Sequence, residues 1–470
     1  MNAAHTTIAE ILGPDGVLND AADIAPYLTD HRHLYRGRAA VVALPRTVEQ
    51  VSRLLAYCND NRIGVVPHAG NTSYCGGATP DESGRQIVLS LKRLNKIRNV
   101  DPLNYSLIVE AGCILADVQR AADDAERLFP LSLGSEGTCQ IGGNLSTNAG
   151  GTSVLRYGMM RDLVLGLEVV LADGRILSTL AALRKDNTGY DIKSLFLGAE
   201  GTLGVITAAS LKLFSKVRST ATAFAAVPNV AAAVELLANL REASGDRISS
   251  FELIPRIGID LTVQHIPGVR DPLPQKYEWH VLCEVTSSRA GENLSDLLTE
   301  ALAAAFDSNL VLDAVVAQSD RERDAFWKIR ETIPEAQRID GASLKHDISL
   351  PITSLAAFVA SAGEWIRANV PDGRLVAYGH VGDGNLHFNL NQVTGASREI
   401  FLAREPTLKR VIHDKVRQFG GSFSAEHGIG RLKVGELERY ASPVELDLMR
   451  AVKHAFDPHG ILNPGKVLRS

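Results

Sequence analysis

Tyr378, His380, His387 and Asn389 are residue types that grip metal ions and polar substrates, and they flank an Asp383-Gly384 pair. Asp-Gly between apolar-containing arms signals a two-residue hairpin turn, because both turn positions need positive φ. That register sets Gly382 against Asn385, Val381 against Leu386 and His380 against His387. Directly opposed side chains have Cβ atoms roughly 4.5–5.5 Å apart, close enough for both imidazoles to reach one ion. Tyr378 and Asn389 follow on the same face, since side chains alternate with period two. A second cluster, Ser424-Ala425-Glu426-His427-Gly428-Ile429-Gly430, adds a carboxylate and another imidazole beside glycines. Two histidines and one carboxylate, with a position left open, suit a catalytic divalent metal. The competing reading is a hydrogen-bonded histidine pair in a core, with a wider loop breaking the register.

Several elements must position these groups. At 470 residues the chain exceeds one compact core, so two or three domains are expected. A strand at Val41–Leu44 leads to a capping box, Thr47-x-x-Gln50, and a helix whose Val51, Leu54, Leu55 and Cys58 share one face. Arg62–Pro67 is the next strand, and further strands are expected at 86–91, 106–110, 165–171 and 203–214. Beyond Lys216 the texture changes: 218–243 is alanine-rich and reads as helical, a strand follows at 277–285, and helices at 320–338, 354–369 and 443–456. That alternation predicts an α+β insert.

Three loops are enriched in glycine: 67–77, 133–151 and 197–207. Glycines let backbone N–H groups converge on an anion, and Ser and Thr hydroxyls add donors. One such loop is more often a turn, but three within 140 residues, each after an apolar strand, favour a dinucleotide. No G-x-G-x-x-G follows a strand, so a Rossmann NAD site is not supported. Gly460–Lys466 mimics P-loop spacing, but Val467 stands where Ser or Thr must bind magnesium.

The net charge of −5, without a basic block, argues against nucleic acid. Five scattered cysteines (58, 75, 113, 139 and 283) without a Cys-x-x-Cys pair predict a reduced compartment and no disulfides. No apolar run approaches the roughly 20 residues of a membrane helix, and the first twelve residues lack a signal-peptide pattern. The expectation is a cytoplasmic protein without an integral membrane segment.

The three loops in this order, with Gly198-Ala-Glu-Gly-Thr-Leu-Gly204, His380…His387, Ser424-Ala-Glu-His-Gly428 and Ile461-Leu-Asn-Pro-Gly-Lys466, resemble the vanillyl-alcohol oxidase superfamily. Within it the chain is similar, over about residues 35–468, to FAD-dependent D-2-hydroxyacid dehydrogenases, the group of D-lactate and D-2-hydroxyglutarate dehydrogenases. The resemblance implies an α+β architecture: a two-lobed PCMH-type FAD-binding domain (1–216), an α+β substrate or cap domain with an antiparallel sheet (217–424), and a C-terminal segment (425–470) returning to the first. It implies that Pro67, Gly70, Asn71, Thr72, Ser73, Gly76 and Gly77 wrap the FAD pyrophosphate. Ser135, Gly137, Thr138, Gly142 and Asn148 continue around it; Glu200, Gly201 and Ile206 close over it; Asn463 and Lys466 return to the flavin. Covalent members place a flavin-linked His where Asn71 stands, so non-covalent FAD is expected. Ala69 stands where the family usually has Gly.

The same resemblance assigns His380, His387 and Glu426 to a divalent metal, with zinc the expected ion, and Arg330 to the substrate carboxylate. Lys345 and Asn389 are further substrate contacts. Pro334 replaces a Thr that hydroxyglutarate-specific relatives aim at the distal carboxylate. The metal would act as a Lewis acid toward the substrate hydroxyl, His427 as general base, and FAD as hydride acceptor, giving a 2-oxoacid. The expected activity is oxidation of D-lactate or a similar D-2-hydroxyacid. The alternatives are a D-2-hydroxyglutarate-selective dehydrogenase and a flavin oxidase using oxygen. A metal-dependent hydrolase and a catalytically silent flavin-binding subunit are rivals from other classes. The electron acceptor would be an electron-transfer flavoprotein, a quinone or a cytochrome, and the architecture is compatible with a homodimer.

Overall fold

The computed structural model describes residues 2–469. They form two compact units: one of Met1–Gly151, Gly158–Lys216 and Glu426–Ser470, the other of Thr152–Tyr157 and Val217–Ala425.

In the first unit the Thr47 side chain caps helix Val48–Asp60 by accepting from Gln50 N (3.3 Å), and Gln50 Oε1 accepts from Arg46 N (2.7 Å). Val51, Leu54, Leu55 and Cys58 are its buried face, as their spacing predicts. The helix joins Val42–Ala43 to Val65–His68, and both strands lie parallel to Ile87–Ser90 between them; Val17–Leu18 completes a four-stranded sheet. On its other side Val65 meets the C-terminal segment. Val65 N–H donates to Ile461 O and Asn463 N–H to Val65 O, each at 2.8 Å. An antiparallel sheet follows in the order Ile97–Asp101, Ser106–Glu110, Val205–Lys212, Val164–Val170, Ile176–Ser178.

The second unit is an antiparallel sheet in the order Asp313–Val316, Ser219–Val227, Trp279–Ser287, Ile248–Pro255, Gly373–His380, Asn385–Gln392, Ser343–Leu344, with Asp347–Ser349 also on Asn385–Gln392. Alternate residues of its strands feed two cores. One holds Phe251, Leu253 and Cys283 with helices Val230–Ser244, Leu294–Asp307, Leu355–Asn369 and Glu405–Gln418. The other holds Ile254, Leu282, Val376 and Tyr378 with helices Arg256–His265 and Asp320–Asp340. Both faces are therefore covered by helices, and the fold is α+β as expected.

One expected element changes identity. The alanine-rich stretch read as one helix is a strand, Ser219–Val227, then a helix, Val230–Ser244, capped by Asn229. Alanine favours helix by propensity, but a central strand covered on both faces accommodates small side chains, and Pro228 and Asn229 interrupt the helical run. All five cysteines are buried and none is in a disulfide.

Candidate active site

In the second unit, Gly373–His380 and Asn385–Gln392 are the expected antiparallel arms, but the register is two residues from the one read off the Asp-Gly turn. Tyr378, not His380, is paired with His387. The connection is a wider loop: Val381–Asp383 makes a 3-10 turn, with Gly384 left-handed at φ 83°. A Cβ at Gly384 would lie 2.1 Å from the Leu350 carbonyl, so only glycine fits there. A shift of two keeps every side chain on its face. His380 and His387 therefore still share a face, their ring centroids 5.8 Å apart and near perpendicular.

The residue behind this pair was not identified from the sequence. Glu252, in strand Ile248–Pro255, is cross-strand partner of His380 and fully buried. Its Oε1 lies 2.5 Å from His380 Nδ1 and its Oε2 accepts from Arg330 Nε at 2.6 Å. Burial alone would raise this carboxyl, but His380 and Arg330 pull it down to about 2. An ionised carboxylate can only accept, so Nδ1 carries a proton and Nε2 is the ring nitrogen turned away from Glu252. Asp347 Oδ1 stands 3.8 Å from His387 Nδ1 and accepts from Asn385 Nδ2 at 3.0 Å. His380, with Glu252 on its Nδ1, matches the way metal-binding histidines are oriented, while Asp347 Oδ1 stands beyond hydrogen-bond range of His387 Nδ1. Two imidazoles on one face fit a divalent ion.

Arg330, from helix Asp320–Asp340, is buried, with its guanidinium 4.9 Å from the Tyr378 ring centroid. Pro334 lies inside the same helix and has no N–H to donate toward the Arg330 carbonyl, four residues earlier. Asn389 is buried: its Oδ1 accepts from His346 N (3.1 Å) and its Nδ2 donates to Gln337 Oε1 (3.1 Å). Its amide thus ties the strand to that helix and to the 343–346 segment. Lys345 is exposed.

In the first unit the three glycine loops meet. A Cβ at Gly70 would lie 2.5 Å from Thr138 O and 2.9 Å from Cys139 Cα, so loop one crosses loop two backbone to backbone. A Cβ at Gly201 would lie 2.9 Å from the Pro67 ring, which brings loop three onto loop one. The Ala69 methyl sits over Gly143, where a second methyl would be 3.0 Å away. Asn463 Nδ2 donates to Gly77 O (3.0 Å) and Glu200 O (2.8 Å), so the C-terminal segment staples loops one and three.

Asn71, Asn148, Glu200 and Asn463 all have φ between 44° and 53°. Such left-handed residues turn successive N–H groups into concavities for anions. Asn71 Nδ2 donates to Thr29 O and Asn148 Oδ1 accepts from Arg161 N, each at 2.8 Å. Gly142 N–H donates to Ala111 O (2.7 Å), and the Ser135 carbonyl accepts from Thr138 N (2.9 Å) and Cys139 N (2.8 Å). Ser73 Oγ faces Cys75 N at 3.4 Å, Gly76 packs on the Tyr35 ring, Gly137 is open, and Ile206 is buried in its strand. Thr72 and Gly77 lie on the same loop as Gly70.

A cavity of about 600 Å³ beside loop one is lined by Tyr27, Asp30, His68, Gly70 and Asn71, among others. Burial holds His68 down to about 4, and neither of its ring nitrogens has a partner. Gln140 Oε1, Asn144 Oδ1 and Asn463 Oδ1 are also buried without one. Lys466 is buried, and burial followed by the Arg431 charge lowers its amine to about 8. Left-handed backbone, unsatisfied polar atoms and a buried cation fit a large anionic, hydrogen-bonding cofactor.

Glu200 does more than line a loop: its two carboxylate oxygens accept from Ile429 N (2.7 Å) and Gly430 N (2.8 Å). Burial raises this carboxyl against the pull of those two N–H groups. The residues just before, Glu426 and His427, are thereby held at a fixed point of the unit. Glu426 Oε1 accepts from Gly151 N (2.9 Å), and His427 stacks at a tilt on Tyr74, centroids 4.7 Å apart.

Two family models match the chain: an FAD binding domain over residues 39–180 and the C-terminal domain of FAD linked oxidases over 216–467. A mitochondrial D-2-hydroxyglutarate dehydrogenase of Arabidopsis thaliana is 38% identical, over 98% of this chain and 80% of its own. A D-2-hydroxyglutarate–pyruvate transhydrogenase of Saccharomyces cerevisiae is 37% identical, over 97% of this chain and 92% of its own. Among solved structures, p-cresol methylhydroxylase with bound substrate superposes with a TM-score of 0.77 at 18% identity, covering 100% of this chain and 97% of that one, which shows the fold. These findings correct one expectation. The Arabidopsis enzyme and further relatives from rice, cattle and fission yeast are named mitochondrial, against a cytoplasmic protein. Composition could not have told the two apart, because a folded body in either aqueous compartment needs the same apolar core and polar surface. Among the described residues no helix is long and apolar enough to cross a membrane.

Proposed function

We propose, from the premise that this chain belongs to the FAD-linked oxidases and within them to the D-2-hydroxyacid dehydrogenases, that it oxidises a D-2-hydroxyacid to the 2-oxoacid. Bound FAD supplies the hydride acceptor, and a divalent ion, with zinc the expected one, supplies a Lewis acid for the hydroxyl. The observation that carries the reading is a buried guanidinium, Arg330, on the same carboxylate as His380 and beside the His380–His387 pair. Arg330 binds the C1 carboxylate, its planar fork suited to two parallel N–H bonds. His380, His387 and Glu426 hold the ion. His427 accepts the hydroxyl proton at an imidazole nitrogen. Asn389 keeps strand and helix in register behind the substrate, and the three glycine loops with Asn463 and Lys466 hold FAD without a covalent bond.

A preference for the five-carbon diacid is the second reading. The names of the relatives favour it, and Lys345 offers a second cation, although Pro334 supplies no hydroxyl. The experiment is anaerobic flavin bleaching with matched D- and L-hydroxyacids. D-lactate, D-2-hydroxyglutarate or a homologue should bleach the yellow protein while the L-enantiomers leave it unchanged. A flavin that no 2-hydroxyacid bleaches would refute the reading, and the D-lactate to D-2-hydroxyglutarate ratio decides between its two forms.

A further inference from the structure

We infer that Glu252 is the positioning residue of this site: one carboxylate fixes both the Arg330 guanidinium and the His380 ring, coupling substrate binding to metal binding. The inference rests on the proposed roles of Arg330 and His380 and adds a residue to them.

The geometry is specific. Each oxygen of Glu252 serves a different group, Oε1 facing His380 Nδ1 at 2.5 Å and Oε2 accepting from Arg330 Nε at 2.6 Å. Glu252 engages the guanidinium through Nε, and the Nη pair of a guanidinium is the fork that matches a planar carboxylate. Tyr378 covers the guanidinium face at 4.9 Å, so the fork is held by an edge bond and a ring. His380 is held from the opposite side of the same carboxylate, and the Nδ1 contact selects Nε2 as the ligand atom.

Glu252 is the charged member of the run Phe251-Glu252-Leu253-Ile254 in a strand covered by helices. Replacing buried ion pairs by apolar residues of similar volume is often neutral or stabilising. A carboxylate kept dry with one partner per oxygen makes sense as a jig for those two partners.

The test compares the FAD-bound, zinc-loaded parent with Glu252→Gln and Glu252→Asp. Zinc affinity is read by chelator competition and metal analysis, and 2-oxoacid affinity by titrating pyruvate and 2-oxoglutarate against the oxidised flavin spectrum. Glu252→Gln should keep its FAD, bind zinc about 10- to 100-fold more weakly, and bind the 2-oxoacids at least about tenfold more weakly. Its KM should rise by more than its kcat falls, and Glu252→Asp should recover part of each loss. A folded Glu252→Gln within about twofold of the parent for both zinc and 2-oxoacids would overturn the inference. So would failure of both variants to fold, which would make Glu252 a structural anchor. If the parent itself is not bleached by any 2-hydroxyacid, the proposed function fails and the inference with it. A bleached parent matched by Glu252→Gln sinks the inference alone.

Discussion

Gly70→Ala tests whether the crossing of the first two glycine loops is what binds the cofactor. The new methyl would stand 2.5 Å from Thr138 O, 2.9 Å from Cys139 Cα and 3.2 Å from Thr138 C, all backbone atoms that cannot rotate away. Restoring an ordinary 3.4 Å contact to the oxygen requires the loops to part by about 0.9 Å (3.4 − 2.5). Overpacking of this kind costs about 1–3 kcal/mol. Without cofactor, the loops relieve the strain by moving apart; FAD must draw them back, so the cost falls on binding. At 1.4 kcal/mol per tenfold, the FAD dissociation constant should rise about 5- to 150-fold. The assay is fluorescence titration of flavin-stripped protein, with melting of the stripped forms as a check on folding. Gly435→Ala, in helix Val434–Tyr440 with the nearest atom 3.8 Å away, should leave FAD affinity unchanged and hold or slightly raise stability. A folded Gly70→Ala that binds FAD within twofold of the parent would refute the assignment of this crossing to the cofactor.

His387→Ala should lose bound zinc and slow substrate-dependent flavin reduction by at least about 100-fold while keeping FAD; full activity in a metal-free variant removes the metal from the reaction. Glu200→Gln places an amide N–H against a backbone N–H of Ile429 or Gly430, a loss of about 1–3 kcal/mol. Limited proteolysis should then cut faster near residues 426–430, and an unchanged digestion pattern argues against the latch. Burial, then the Arg256 charge, holds His280 down to about 4. A histidine depressed below its unfolded value near 6.5 must be charged to unfold in acid, so its contribution is complete above 6.5 and lost as pH falls toward about 4. His280→Leu should flatten the fall in melting temperature across that window; an unchanged slope excludes His280 as its source.

Much of the site could be read from residue types, because metal ligands, glycine turns and caps leave local signatures. Thr47 and the buried face of its helix fall where spacing puts them, and the hairpin arms keep His380 and His387 on one face. The register itself was not legible. Asp383-Gly384 also suits a 3-10 turn with Gly384 left-handed, and tertiary contact with the Leu350 carbonyl favours that turn. Glu252 was invisible for a different reason. A lone carboxylate in an apolar strand reads as a solvent-facing residue, and only the helix carrying Arg330, about 80 residues later, makes that face dry. Ser219–Val227 was misread because alanine's helix preference is local, while its burial between two helical layers is not.

The pairing of Val65 with the Ile461–Asn463 segment joins positions about 400 residues apart. Synthesis runs from the N-terminus, so the edge of that early sheet waits with bare N–H and C=O groups while the whole inserted unit is made. The first unit therefore completes this edge of its β-sheet only after the inserted unit has been made. Without residues 461–463 the Val65 edge should stay bare, a sticky surface for chaperones to guard.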